Sequence, residues 1–156
     1  MGVYADPARA RDCVIAPAGG TIEPVVWAWI PDDVGLAYVT IRFVFPDNIE
    51  LLGRPVLNDL ISDIIITEFP DGTSEWNMVF VDCPSGWVNV MTIPCRVRDD
   101  KPSRVEVVAA RSMARDCTNF VLNGVGVASE LAINEPGCGA VEIENRSWAA
   151  AKWIYR

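Results

Sequence analysis

The sequence predicts an all-β protein, an antiparallel immunoglobulin-like β-sandwich with a short C-terminal helix. Apolar and polar residues alternate along many short segments, turn-forming residues separate these segments, and the one convincing helical pattern lies near the C-terminus. A β-barrel is the alternative architecture. The chain of 156 residues has enough material for one buried core and too little for two, so residues 1–156 are predicted to form a single domain.

Alternation is clearest in "LAYVTIRFVFP", where Val39, Ile41 and Phe43 fall on one face and Tyr38 and Thr40 on the other. The series of short strands continues through "SEWNMVFV", "GWVNVMTIP", "SRVEVVAA", "TNFVLNG", "GVASELAIN" and "GAVEIE". The best hairpin prediction is "PDGTSEW", between "DIIITEF" and "WNMVFVD". In "PVLNDLISDIII" helical and strand spacings compete, and we expect a strand from about residue 63 after an irregular segment or one helical turn over 54–62.

Two segments are apolar on all sides and therefore need cover. The segment "PVVWAWIP", residues 24–31, has apolar residues on both faces of a predicted strand. The segment "RSWAAAKWIYR" predicts a helix over about 147–155, because Ser147 is a natural N-cap and alanines favour helix. We expect this helix to dock over one face of the strand at 24–31.

Charge and composition exclude several function classes. The net charge of −8 argues against nucleic-acid binding, which requires a basic surface. Every apolar run is too short or too interrupted for a membrane span. The chain has no histidine, so a Ser-His-Asp or Cys-His catalytic site and imidazole metal ligation are excluded. Paired carboxylates, a lysine or a thiolate remain as catalytic devices, but no pair is singled out, and we predict no catalytic residue, metal or cofactor.

The five cysteines predict disulfides, since four of them stand beside turn residues at apparent strand ends. No C-x-x-C spacing is present, so redox and zinc-ribbon signatures are absent from the sequence. We favour the pairs Cys83–Cys95 and Cys117–Cys138, with Cys13 unpaired or bonded to another chain. A simple hairpin would place Cys83 and Cys95 too far apart for a bond, so Cys83–Cys117 is the alternative pair.

Six tryptophans invite a sugar-binding interpretation, because indole faces stack on pyranose rings. Trp27, Trp29, Trp76 and Trp87 are the candidate stacking residues. Core packing is the more common use of tryptophan, particularly in alternating segments such as those that hold these four side chains.

The two ends of the sequence carry a family resemblance. The opening "GVYADP" followed by "DC", and the closing "SWAAAKWIYR", resemble the ends of a group of uncharacterised small secreted proteins encoded by uncultured bacterial lineages. The resemblance implies secretion and a β-sandwich and brings no activity or catalytic residue with it. Members of that group commonly have an even number of cysteines, whereas this chain has five. We take Met1 as an added initiator on a mature form.

These observations favour a non-catalytic secreted or cell-surface module that acts in protein interaction, adhesion or self-assembly. Its expected partner is a second copy or another extracellular protein. A carbohydrate-binding module that uses exposed tryptophans is the second hypothesis, and a secreted carboxylate-based hydrolase is the third.

Overall fold

The computed structural model describes residues 1–32, 34–108, 113–118, 120–122, 126 and 129–138, and these residues form fifteen β-strands. The strands are β1 Gly2–Tyr4, β2 Cys13–Val14, β3 Thr21–Ile22, β4 Val25–Ile30, β5 Tyr38–Val44, β6 Ile49–Leu51, β7 Val56–Leu57, β8 Ile61–Glu68, β9 Thr73–Phe80, β10 Gly86–Thr92, β11 Cys95–Val97, β12 Ser103–Val107, β13 Met113–Arg115, β14 Val121–Leu122 and β15 Leu131–Ile133. They stack as two layers, so the predicted all-β sandwich is confirmed. The described residues contain no helix that is long and apolar enough to cross a membrane.

The first layer is built around β5. Strand β9 pairs antiparallel with one edge of β5, and β8 continues the sheet beyond β9. Strands β12 and β13 lie one after the other along the opposite edge of β5. Strand β12 also pairs with β15, and β15 pairs with β2, while β13 pairs with β14.

The second layer is an antiparallel sheet interrupted by two prolines. One part has the strand order β1-β4-β10-β7 and the other has the order β3-β11-β6. Strands β3 and β4 are separated at Pro24, and β10 and β11 are separated at Pro94, because a proline offers no N–H to the ladder. The Ile93 amide donates to the Pro24 carbonyl at 2.8 Å, which links the two parts across the break.

The core lies between the two layers. Trp76 is its largest fully buried side chain, and the centroids of the Trp76 and Phe43 rings lie 5.1 Å apart in an edge-on arrangement. The Trp76 Nε1 donates to Ser74 Oγ at 2.9 Å, so its polar atom is satisfied inside the core. Val26 and Val90 of the second layer belong to the same core and have no exposed surface.

Strand β8 begins earlier than the sequence indicated. It starts at Ile61 rather than at about 63, and β7 lies within the segment expected to be irregular. Asn58 explains the difference: its Oδ1 accepts from the Leu60 amide at 2.9 Å and its carbonyl accepts from the Ile61 amide at 2.9 Å. These bonds make a tight turn that leads directly into β8. The predicted helix over about 147–155 and its docking on residues 24–31 lie outside the described residues.

The disulfide connectivity differs from the favoured one. The structure joins Cys13 to Cys138, with Cα atoms 5.3 Å apart, and Cys83 to Cys117, with Cα atoms 5.9 Å apart. The remaining cysteine, Cys95, is a buried free thiol. The pairs Cys83–Cys95 and Cys117–Cys138 and the unpaired Cys13 were therefore wrong, and the alternative pair Cys83–Cys117 is the one formed.

The topology supplies the physical reason. Cys83 precedes β10 and Cys95 follows it, and the seven residues of that strand span about 23 Å at ~3.3 Å per residue. Tyr38, in contrast, pairs with Val79 on one side and with Arg115 on the other, so the segments leaving β9 and β13 emerge together. That register brings Cys83 and Cys117 to the same end of the first layer.

Candidate functional site

The outward side of the first layer, which we call the front face, combines polar and apolar side chains on one flat sheet. Alternation along the strands sends every second side chain outward. The front face consists of Tyr38, Thr40 and Arg42 from β5, Glu75, Asn77 and Val79 from β9, and Asp63, Ile65 and Thr67 from β8.

A hydrogen-bonded group occupies the centre of the front face. Asn77 Oδ1 accepts from Thr40 Oγ1 at 2.8 Å and from the Tyr38 hydroxyl. Asn77 Nδ2 donates to Glu75 Oε1 at 3.3 Å. Thr40 lies directly opposite Asn77 on the neighbouring strand. The hydrogen bonds between these side chains fix their rotamers. The centre of this surface is thus ordered before any partner arrives.

Arg42 lies at one end of the same row. Its register partner on β9 is Glu75, and its guanidinium carbon lies 3.9 Å from the centre of the Phe69 ring. This cation–π contact keeps a long charged side chain flat on the sheet, with the residue only 8% exposed. Because so little of the residue is exposed, Arg42 contributes packing and charge beneath the surface of the front face.

Exposed apolar side chains flank the polar centre. Ile65 is 62% exposed and Val79 is 44% exposed, on neighbouring strands. Fully burying an aliphatic side chain of this size contributes about 1.5–3 kcal/mol, so contact with these two residues would stabilise a complex at the front face. Among the described residues β8 pairs only with β9, so its outer edge carries backbone groups without a strand partner in that part of the chain.

The dimensions suit a modest protein interface. Three strands, β5, β9 and β8, at ~4.8 Å spacing make a width of about 14 Å, and seven residues make a length of about 23 Å. The resulting area of about 330 Å² is roughly two-fifths of the ~800 Å² that a standard interface buries on each partner. A partner would therefore also contact loops at the rim.

The candidate tryptophans fall into two groups. Trp76 is fully buried in the core, so its prediction as a ligand-stacking residue was wrong; its position on β9 faces inward between Phe43 and Ser74. Trp27, Trp29 and Trp87 lie on the outward side of the second layer, which we call the back face. Trp29 and Trp87 are cross-strand partners, and Trp29 is 49% exposed.

Sequence reasoning missed Arg9, which lies over the back face. Its guanidinium carbon lies 4.8 Å from the centre of the Trp27 ring and 4.0 Å from that of Trp87. Arg9 belongs to a turn in which its amide donates to the Asp6 carbonyl at 3.1 Å. No strand or helix periodicity marks a turn residue, so the sequence held no signal for this contact. The polar centre of the front face was missed too, because alternation shows that polar residues point outward without showing that they bond together.

Within the described part of the chain, neither the Cys95 thiol nor any cluster of metal-ligating side chains points to a reactive site. Burial raises the pKa of the Cys95 thiol to about 12, so it stays protonated and unreactive near neutral pH. Within the described ranges no group of three or more acidic or cysteine side chains is arranged to hold a metal ion.

Comparison with known proteins gives fold similarity only. No protein-family model matches the sequence, and no curated protein matches it. Among solved structures, a type II cohesin domain from the cellulosome of Acetivibrio cellulolyticus is similar, with a TM-score of 0.64, 10% identity, and coverage of 79% of this chain and 91% of that one. The type I cohesin–dockerin complex Coh-OlpA–Doc918 of Clostridium thermocellum contains a second similar chain, with a TM-score of 0.62, 12% identity, and coverage of 85% and 98%.

A third similar structure comes from a different context. It is the cohesin module of a family 33 glycoside hydrolase of Clostridium perfringens, with a TM-score of 0.63, 11% identity, and coverage of 86% of this chain and 97% of that one. At these identities the comparisons establish that the chain has a sandwich fold similar to that of cohesin modules.

Proposed function

We propose that this protein is a non-catalytic extracellular or cell-surface module that binds a protein partner through its front face. The observation that carries the proposal is the front face itself, in which Ile65 and Val79 stand exposed beside the hydrogen-bonded centre at Asn77. Protein interfaces have this composition, an apolar part with ordered polar groups beside it.

The similarity to cohesin modules supports the proposal, since one of the similar structures is a cohesin bound to a dockerin. Two disulfides in the described residues support an oxidising compartment. We further propose that the sandwich is of the immunoglobulin-like type, with consecutive strands crossing between the layers. The partner is another extracellular protein or a second copy of this chain.

Photo-crosslinking tests the location of the interface. A benzoylphenylalanine replaces Ile65 on the front face in one variant and Val56 in the matched control. Val56 is 67% exposed and lies on β7 of the second layer, so both probes have similar access to solvent. The variants are irradiated with the secreted proteins of the source organism, with and without excess unlabelled protein.

We expect a discrete crosslinked product from position 65 that disappears in the presence of excess wild-type protein and persists with excess Ile65→Asp protein. Mass spectrometry of that product distinguishes a second copy from a different protein. Equal crosslinking from positions 65 and 56, or a product that is not competed by the wild type, would contradict the proposal.

A further inference from the structure

The back face carries a second cluster of side chains that partner binding at the front face does not use. Trp27 and Trp29 project from β4, and Trp87 and Asn89 project from the adjacent β10. In the register, Trp29 is opposite Trp87 and Trp27 is opposite Asn89. Two layers of sandwich separate this cluster from the front face, so the two surfaces are independent.

Trp29 offers an open aromatic ring. It is 49% exposed, whereas its neighbours Ala28 and Ile30 on the same strand are 4% exposed. About half of the apolar surface of this indole is therefore open to a ligand. Such a surface matches the C–H face of a sugar ring, which is apolar and similarly flat.

Three polar atoms beside the rings lack hydrogen bonds. Arg9 Nη1, Trp27 Nε1 and Asn89 Oδ1 are buried and have no hydrogen-bond partner among the described residues. Buried polar groups are nearly always paired, so these three atoms are candidates for hydrogen bonds with a polar ligand. They comprise two donors and one acceptor, and a sugar hydroxyl both accepts and donates.

Arg9 is the movable part of this cluster. It has a φ of 60°, a left-handed conformation that is unfavourable for a residue with a side chain, and it lies in a turn at the protein surface. Its amide bonds to the Asp6 carbonyl at 3.1 Å, while its guanidinium covers Trp27 and Trp87. Because Arg9 lies in a turn, its side chain can move off the two indoles without breaking a hydrogen bond of a strand.

We propose that the back face binds carbohydrate. One pyranose ring stacks on Trp29, and hydroxyl groups of the same or the next sugar unit bond to Trp27 Nε1, Asn89 Oδ1 and Arg9 Nη1. The ligand class is a polysaccharide that presents successive neutral hexopyranose units, because the net charge of −8 opposes the binding of an acidic polymer.

Affinity electrophoresis of the full chain tests the proposal. The native gels contain hydroxyethyl cellulose, xylan or polygalacturonate, which represent a neutral hexose, a pentose and an acidic hexose polymer. The variants are Trp29→Ala and Arg9→Ala, and the matched control is Val56→Ala, which removes an exposed apolar side chain from the same layer. Thermal unfolding of each variant verifies folding, which matters for Arg9→Ala because this substitution also removes the contacts with Trp27 and Trp87.

We expect the wild type and Val56→Ala to be retarded, most strongly by hydroxyethyl cellulose. Both Trp29→Ala and Arg9→Ala should bind about tenfold more weakly or worse, because Trp29→Ala removes the stacking surface and Arg9→Ala removes a hydrogen-bond donor to the sugar. Unretarded migration of the wild type in all three gels, or equal retardation of the wild type and Trp29→Ala, would overturn the proposal. A back face that binds protein would give that result, since the polysaccharides would then leave its mobility unchanged.

Discussion

Removing each disulfide in turn tests the connectivity and its contribution to stability. Replacement of both Cys13 and Cys138 by alanine opens a loop of 125 residues, and replacement of Cys83 and Cys117 opens one of 34. The loop-closure relation gives losses of about 4.9 and about 3.8 kcal/mol in the free energy of unfolding, because a longer loop restricts the unfolded chain more. The first loss is comparable to the whole stability of a marginal domain, which is about 5–15 kcal/mol.

Urea unfolding followed by tryptophan fluorescence measures these losses. Cys95→Ala is the control, because it removes a buried thiol without opening a loop and should cost only about 1 kcal/mol. We expect the order of stability to be wild type, Cys95→Ala, the Cys83/Cys117 variant, and then the Cys13/Cys138 variant. Wild-type stability in either double variant would refute the connectivity, as would a large loss in Cys95→Ala accompanied by a new free thiol.

Three further predictions concern single groups. Native protein should not react with a thiol reagent at pH 8, because burial raises the pKa of Cys95 to about 12. After unfolding without reductant one thiol per chain should react, and two or more reactive thiols would contradict the two disulfide bonds. In urea unfolding, Gly35→Ala should lower the free energy of unfolding by about 2 kcal/mol more than Gly72→Ala, because both glycines have positive φ but only at Gly35 would the added Cβ lie 2.9 Å from a disulfide sulfur. Equal losses in the two variants would argue against that contact. The hydrogen bond from the Phe120 amide holds the pKa of Asp116 below its usual 3.8, so the Asp116 carboxylate stabilises the fold above pH 3.8 and this stabilisation is lost as pH falls through the lower pKa of the folded state. An NMR titration that gives a pKa of 3.8 or higher for Asp116 would contradict this prediction.

The sandwich could be predicted because alternation is a local property of the chain. In β5, the inward Val39, Ile41 and Phe43 are at most 1% exposed, while Tyr38 and Thr40 point outward, as the pattern in "LAYVTIRFVFP" indicated. The start of β8 could not be predicted in the same way. It depends on a side-chain bond at Asn58 that changes how the chain turns, and hydrophobic spacing does not detect such a bond.

Predicting the cysteine pairs and the functional faces requires knowing which strands are neighbours. Cys83 and Cys117 meet because β9 and β13 flank β5, a relation between segments more than thirty residues apart. Trp76 and Trp29 both stand in alternating apolar segments, yet one faces the core and the other faces solvent. The sequence shows which residues share a face, and only the stacking of the two layers decides which face is buried.

The central claim is that the front face binds a protein, and the affinity of the crosslinked partner for Ile65→Asp tests it most directly. The substitution places a charge where Ile65 is expected to be buried against the partner. Biolayer interferometry with the purified partner should show binding at least about 30-fold weaker than wild type, equivalent to about 2 kcal/mol, while Val56→Asp binds like the wild type. Unchanged affinity in Ile65→Asp, or an equal loss in both variants, would contradict the account.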